Sequence, residues 1–293
     1  MKLVIKENKK YICVFLICIV IMIYEALYDN NIIEIIKRAL FEPGYIEFYF
    51  ANTDTPVSPG TAHTFINLVI NSVKYTPLAF DSLIVFGTRI FQLILPLFAV
   101  VSGIEFYKYF NTICKFKINS KKNYRKFILK KITINAAKIA FSIFMAYCLY
   151  LLVSYCISDF SYNSKTTRDF LLDIIGEEFY GEHIVLYYFI EGAIRFLFMP
   201  FIYSCLTQTS VLYFQNIKQV IATPIIYYYL LATIGYGLNM LDHPISIYIN
   251  PSAIMANGTY ANINSILLIL FNLVLPLTLS IILIYWRTKN VEI

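Results

Sequence analysis

Apolar residues of this chain fall into six long runs, separated by polar or turn-rich segments. A transmembrane helix needs about 20 consecutive, mostly apolar residues, whereas a strand of a membrane barrel needs about 10 residues that alternate in polarity. The runs are long and do not alternate, so the pattern predicts an all-α membrane protein whose residues 1–293 form a single transmembrane domain. The six predicted spans cover residues 11–27, 85–110, 132–157, 187–214, 220–240 and 265–286.

The composition agrees with this pattern and excludes other classes of protein. Hydrophobic residues make up 59% of the 293 residues and charged residues only 14%, and the mean hydropathy is +0.65. A soluble domain is about 45–50% apolar and about 25% charged, so one soluble core cannot hold this excess of apolar residues. We therefore exclude a soluble enzyme and a disordered protein, and we expect the lipid bilayer to surround the chain.

The formal net charge is +6, and the positions of the charges predict the orientation of the chain. Lysine and arginine cluster in the N-terminal tail, between spans two and three, and after span six, whereas acids dominate residues 28–82 and 159–183. Cytoplasmic loops carry an excess of Lys and Arg, so this asymmetry predicts that both termini are cytoplasmic. Residues 28–82 then form a large outer loop.

Two stretches of this outer loop have the apolar spacing of short amphipathic helices. In NNIIEIIKRAL, residues 30–40, isoleucines recur at helical spacing opposite charged side chains, and HTFINLVINSVKY, residues 63–75, repeats the pattern. Such helices lie on a membrane face, where they either pack over the ends of the spans or cover a substrate path. The last outer loop, residues 241–264, mixes apolar and turn residues and is predicted to dip back into the membrane.

The basic segment at residues 111–131 indicates a partner. Its sequence, NTICKFKINSKKNYRKFILKK, interleaves lysine and arginine with bulky apolar residues and contains no acid. Such a segment lies on anionic lipid, docks on a cytoplasmic protein or binds nucleic acid, but nothing else in the chain indicates a nucleic-acid module. The charge alone suits lipid, whereas the apolar residues throughout favour a protein partner. The candidate docking residues are Phe116, Lys121, Lys122, Tyr124, Arg125, Phe127 and Ile128.

Few ionisable residues lie within the predicted spans. Glu191 and Arg195 in span four are four residues apart, which places them on one face of a helix, where they can pair. They form either a structural ion pair or part of a polar substrate path. Arg89, near the outer end of span two, is a third candidate for such a path, and Glu25 is its alternative ion-pair partner.

The sequence contains none of the common motifs of membrane enzymes or nucleotide-binding proteins. It has no G-x-x-x-x-G-K-[ST], no H-E-x-x-H, no G-x-S-x-G and no C-x-x-C. We therefore expect no catalytic residue, metal or cofactor in this chain.

The layout of the chain resembles that of the ABC-2 type transporter permeases, the membrane subunits of bacterial ATP-binding-cassette exporters. The resemblance covers the six-span topology and one region, from span two through the basic segment. The proline, small residue, glutamate and lysine-terminated basic loop of the family correspond to Pro96, Gly103, Glu105, Arg125 and Lys130 or Lys131.

This resemblance implies a transport subunit, without enzyme activity of its own, in a bacterial cytoplasmic membrane. The basic segment would be the coupling helix, which docks on a separate cytoplasmic ABC ATPase that binds ATP and Mg²⁺. Permeases of this family work in pairs, so a second copy or a sister permease is a further expected partner. The resemblance implies outward movement of the cargo, and the 25 tyrosines and 24 phenylalanines favour an amphipathic cargo, such as a peptide, lipid or drug. The alternatives are a membrane enzyme of peptide maturation and a stand-alone immunity or sensor protein.

Overall fold

The computed structural model describes residues 2–29, 31–52, 64–68, 80–114, 124–158, 171–255 and 264–289. Within these ranges the regular structure is helical, without a β-strand. The helices are α1 (Lys2–Asp29), α2 (Ile32–Phe41), α3 (Tyr45–Asn52), α4 (Phe80–Thr88), α5 (Phe91–Tyr109), α6 (Tyr124–Ile157), α7 (Leu172–Ile175), α8 (Glu177–Glu182), α9 (Ile184–Gly192), α10 (Met199–Ser210), α11 (Ile217–Asn239), α12 (Ser246–Ile249), α13 (Ser252–Met255), α14 (Ser265–Ile269) and α15 (Leu275–Lys289). π-Helical turns extend or join them at Phe110–Cys114, Ala193–Phe198 and Leu270–Val274.

Six helical segments of the described chain are long and apolar enough to cross a membrane, which confirms the predicted all-α membrane architecture. Each has at least the roughly 20 residues that the hydrocarbon layer requires. Spans one to six are Lys9–Asp29, Phe91–Thr112, Tyr124–Ile157, Ile184–Ser210, Ile217–Asn239 and Ser265–Lys289.

The helical segment of span two begins at Phe91, six residues later than the predicted start at residue 85. The apolar run before it forms the separate helix α4, which ends in a turn at Arg89 and Ile90. The Arg89 side chain is 63% exposed, and its Nη1 lies 3.3 Å from Asp29 Oδ2. The turn therefore leaves the guanidinium in polar surroundings, which a continuous membrane helix would not do.

The helix of span three begins at Tyr124, so the second half of the predicted cytoplasmic segment 111–131 is continuous with that helix. Residues 124–131 contain no glycine or proline, and they continue helically into the apolar run. Ile128, Ile132 and Ala136 recur four residues apart and are all buried in one apolar cluster. At 1.5 Å per residue the 34-residue helix is about 51 Å long, well above the roughly 30 Å of hydrocarbon.

Contacts divide the chain into two compact units. The first comprises Met1–Cys18, Ile90–Cys148 and Thr167–Ile293, and the second comprises Ile19–Arg89 and Leu149–Thr166. In the first unit, α10 packs against spans two, five and six, and eleven of its twelve residues are buried. Polar residues of span four are therefore enclosed by protein rather than by lipid.

Proline residues lie within four spans, and in two of them a π-turn precedes the proline. The Met199 N–H donates to the Ile194 carbonyl just before Pro200, and the Leu275 N–H donates to the Leu270 carbonyl just before Pro276. Proline lacks an N–H and its ring displaces the carbonyl four residues earlier, so the wider π-turn accommodates it. Such turns bend helices and are frequent at functional sites.

In the second unit, the helix predicted from NNIIEIIKRAL is present as α2. Ile32 is buried, and Arg38 Nη2 lies 2.6 Å from Glu34 Oε1 on the exposed face. The second predicted amphipathic helix is described only at residues 64–68, of which 65–68 are helical, and its remainder lies outside the described residues. The aromatic-rich helix α3 between them was not predicted.

The described part of residues 241–264, the predicted last outer loop, packs within the first unit. All four residues of α13 are buried, and this short helix packs against α5. Asn250 Oδ1 accepts hydrogen bonds from the backbone N–H and the hydroxyl of Ser252, at 3.0 and 2.7 Å. These bonds fix the start of the short helix.

Candidate functional site

The first half of span four contains a buried ion pair. Arg195 Nη1 lies 2.5 Å from Glu191 Oε1, and both side chains are only 2% exposed. Counted from Ile184 at 1.5 Å per residue, the two residues lie about 10 and about 16 Å into the span. The structure therefore brings the two predicted residues together well inside the span, where an unpaired charge would be costly.

Aromatic side chains pack closely beside this ion pair. The Tyr147 ring stacks on Phe196 with centroids 4.6 Å apart, and Phe91 meets Phe196 edge to face at 5.3 Å. A Cβ at Gly192 would lie 1.9 Å from the Tyr147 ring, so only glycine allows this approach. The Tyr147 hydroxyl donates a 2.7 Å hydrogen bond to the Tyr188 carbonyl. The ion pair is thus held in a rigid, desolvated setting.

The second half of span four, α10, is polar although it is central. Its hydroxyl groups mostly return to their own helix: Thr207 donates to the Tyr203 carbonyl at 2.7 Å and Thr209 to the Cys205 carbonyl at 2.8 Å. Ser210 donates to the Thr207 carbonyl at 2.7 Å. These bonds satisfy the hydroxyls locally and leave them little capacity for other partners.

Three other side chains of α10 behave differently. Both amide atoms of Gln208, the Ser204 hydroxyl and the Tyr203 hydroxyl are buried and have no hydrogen-bond partner within the described part of the chain. Gln208 and Ser204 are four residues apart and therefore share one face of the helix. Each unsatisfied buried group costs about 1–3 kcal/mol. Such a cost requires a reason, and one reason is a function that uses these groups.

One end of the first unit is rich in lysine and arginine. We call it the basic end and define it by the residues around Tyr11, Glu105, Arg125, Gln215 and Thr288. Hydrogen bonds join them: Tyr107 donates to the Gln215 carbonyl at 2.5 Å, and Arg125 Nε donates to Thr288 Oγ1 at 3.1 Å. Lys10 Nζ lies 2.5 Å from Glu105 Oε2, and the Tyr11 hydroxyl donates to the same carboxylate. Glu105 therefore ties the start of span one to the end of span two.

The opposite end of the first unit is acidic. Ser265 Oγ lies 3.4 Å from Asp173 Oδ2, and the Asn264 N–H donates to the Tyr248 hydroxyl at 3.1 Å, which brings three loop segments together. The described residues 171–183 and 241–255 contain no lysine or arginine. Their carboxylates are Asp173, Glu177, Glu178, Glu182 and Asp242.

The candidate docking residues do not form one exposed stripe. Tyr124 and Ile128 are 6% and 0% exposed and belong to the apolar core of the first unit, so we withdraw them as residues that would touch a partner. Phe127 is partly buried, and its ring lies 6.4 Å from that of Tyr109. The guanidinium of Arg125 lies 4.5 Å from the Tyr285 ring centroid.

Other basic residues of this segment are better placed for a partner. Lys126 and Lys130 at the start of span three are exposed. The remaining candidates, Phe116, Lys121 and Lys122, lie outside the described residues. Arg89 belongs to the second unit, where it pairs with Asp29 and also interacts electrostatically with Glu25.

No group of three or more potential metal-ligating side chains occurs in the described ranges. The chain matches no family model, no curated protein and no solved structure. Sequence reasoning missed Ser204 and Gln208, although the polar run SCLTQTS within an apolar span was a usable signal.

Proposed function

We propose that this chain is the membrane subunit of an ATP-driven exporter of the ABC-2 type. It would lie in a bacterial cytoplasmic membrane with both termini in the cytoplasm, pair with a second permease and move an amphipathic substrate outward. The observation that carries the proposal is the central span four, which keeps unsatisfied polar groups in an otherwise apolar bundle. A transport path needs polar groups inside the membrane, whereas a purely structural bundle is more stable without them.

The charges of the two ends support the proposed orientation. At the basic end the Glu105 carboxylate is paired with Lys10, and the described residues 107–114, 124–131 and 285–289 carry lysine and arginine without an acid. The described stretches of the opposite end carry acids without lysine or arginine. A basic end faces the cytoplasm by the positive-inside rule, which puts the start of span three on the side where ATP is available.

The docking surface that we propose for the ATPase differs from the stripe expected from sequence. It consists of the exposed Lys126 and Lys130 with the partly buried Phe127. Since Tyr124 and Ile128 anchor the same helix in the core, a force on this surface would act directly on span three. Span three contacts span four through Tyr147 and Phe196, which provides a physical route to the polar residues.

A pull-down in mild detergent tests this proposal. The tagged wild-type chain, a Lys126→Glu/Lys130→Glu variant and a Lys37→Glu control would be purified from the native host. Lys37 is exposed on α2, outside the basic end. Its replacement by glutamate therefore makes the same charge change as each of the two test substitutions but at a different surface. We expect an ATPase with a phosphate-binding motif to co-purify with the wild type and with the control. Mass spectrometry and an assay of ATP hydrolysis would identify it.

The double variant should lose this ATPase while it remains folded, because both lysines are exposed. If the wild type recovers no ATPase, the exporter proposal is wrong, and a stand-alone membrane protein becomes the better explanation. If the double variant keeps its ATPase, the proposed docking surface is wrong.

A further inference from the structure

Two apolar grooves open on the first unit, one on each side of span three. The larger has a volume of about 540 Å³, and the smaller of about 300 Å³. Span four contributes Leu197, Phe198 and Phe201 to the larger groove, and span one contributes Tyr11, Ile12 and Phe15 to the smaller one. Both grooves are also lined by Lys138 and Phe141, so these two residues form a ridge between them.

Lys138 is an exposed cation within a membrane span. It makes no ion pair with a described residue, and its Nζ lies 5.6 Å from the centroid of the Tyr11 ring. Side chains of a helix tilt toward its N-terminus, and span three begins at the basic end. The ammonium group therefore points back from the apolar grooves toward that end.

This combination defines the chemistry of a ligand. A cation in a lipid-facing position is stabilised by an anion at the same depth, and a phosphodiester at the membrane interface is such an anion. The grooves on either side are almost purely apolar, which suits hydrocarbon chains and does not suit a free phosphate ion. A second copy of the chain would have to supply a carboxylate opposite Lys138, and Glu105 at the basic end is already paired with Lys10.

We propose that Lys138 and the two grooves bind one anionic phospholipid of the leaflet at the basic end. Its phosphate lies beside Lys138, and one acyl chain occupies each groove, on either side of Phe141. This site does not depend on the proposed transport function, because it rests only on the surface of spans one, three and four.

Native mass spectrometry of the full-length protein tests the site. The protein, purified in mild detergent, would be mixed with vesicles of phosphatidylglycerol or of phosphatidylcholine. We expect one phosphatidylglycerol to be retained, and Lys138→Met to lower its retention about five-fold, the effect of one interfacial lysine. Lys138→Arg should keep the lipid, and the exposed Lys126→Met is the control for general positive charge.

A second variant tests the grooves rather than the charge. Ala137 is exposed and lines the larger groove, so Ala137→Trp fills the groove without entering the core. It should lower retention of phosphatidylglycerol although Lys138 is intact. The proposal would be overturned if the wild type and Lys138→Met retained phosphatidylglycerol equally. It would also be overturned if Lys126→Met lost as much of this lipid as Lys138→Met. The proposal would also be overturned if the protein is a dimer that Ala137→Trp dissociates while lipid retention stays unchanged. That result would assign the groove to a second copy of the chain.

Discussion

The two halves of span four bury polar groups in different ways. In the first half, the Glu191 carboxylate and the Arg195 guanidinium neutralise each other at 2.5 Å. In the second half, the amide of Gln208 and the hydroxyl of Ser204 are equally buried but unsatisfied. Both halves belong to one central helix of the first unit, so burial alone does not explain the difference.

We interpret this difference as one between a structural role and a proposed functional role. The ion pair stabilises a fixed arrangement, because either partner without the other is a buried charge. The unsatisfied amide contributes nothing to the stability of this arrangement and lowers it by its desolvation. We therefore interpret the first half as a rigid anchor and the second half as the part that meets a substrate or solvent during transport.

Replacement of Glu191 should have the largest effect on stability. Glu191→Gln leaves the Arg195 charge buried without its counter-charge, so the free energy of unfolding should fall by about 3–5 kcal/mol. Denaturant unfolding in detergent micelles would measure this loss. The matched Glu191→Leu/Arg195→Met variant should recover most of it. Equal losses in the single and double variants would contradict the anchor role.

Replacement of Gly192 should have the next largest effect. A Cβ at this position would lie 1.9 Å from the Tyr147 ring, so Gly192→Ala should lower the free energy of unfolding by about 1–3 kcal/mol. Gly237 in α11 is a suitable control because a Cβ there has no atom within 4 Å. Gly237→Ala should leave stability unchanged or raise it slightly. The prediction fails if thermal unfolding ranks the two variants in the opposite order.

Replacement of Gln208 should separate stability from function. Gln208→Leu removes an unsatisfied amide, so the free energy of unfolding should stay the same or rise by about 1 kcal/mol. Transport, measured as substrate-stimulated ATP hydrolysis of the complex, should fall. The neighbouring Thr209→Val is the control, because its hydroxyl is already bonded to the Cys205 carbonyl. A Gln208→Leu variant that is much less stable would mean that the amide has a structural role.

Replacement of Lys126 should have the smallest effect on stability, so it serves as a reference for the other variants. Lys126 is exposed at the basic end and outside both halves of span four. Lys126→Ala should therefore leave the unfolding midpoint unchanged, while ATPase recovery decreases. A clear shift of the midpoint would show that the basic end stabilises the bundle, which would weaken its assignment as a docking surface.

Hydropathy predicted the features of this chain that depend on continuous apolar length. All six spans and the helix α2 follow from apolar spacing, and the Glu191–Arg195 pair follows from a separation of four residues. Boundaries set by contacts were missed. Arg89 in the turn before span two pairs with Asp29, which is 60 residues away in sequence, and local pattern does not contain that information.

The burial of individual side chains also could not be predicted from the sequence. Tyr124 and Ile128 were predicted to face a partner, because a basic helix start resembles a surface element. In the structure the same helix continues into the core and takes both side chains with it. The polar segment of α10 was overlooked for the opposite reason, since hydropathy averaged over a span hides a short polar run.

Accessibility of Gln208 to a charged thiol reagent tests the central claim most directly. The Gln208→Cys variant would be made in a chain whose native cysteines are replaced by alanine, beside a Val220→Cys control, since Val220 is also buried and apolar. If the second half of span four is part of a transport path, ATP added to the assembled complex should allow modification at position 208 but not at position 220. The account would be contradicted if the cysteine at position 208 stayed as protected from the reagent as the cysteine at position 220, both with and without ATP.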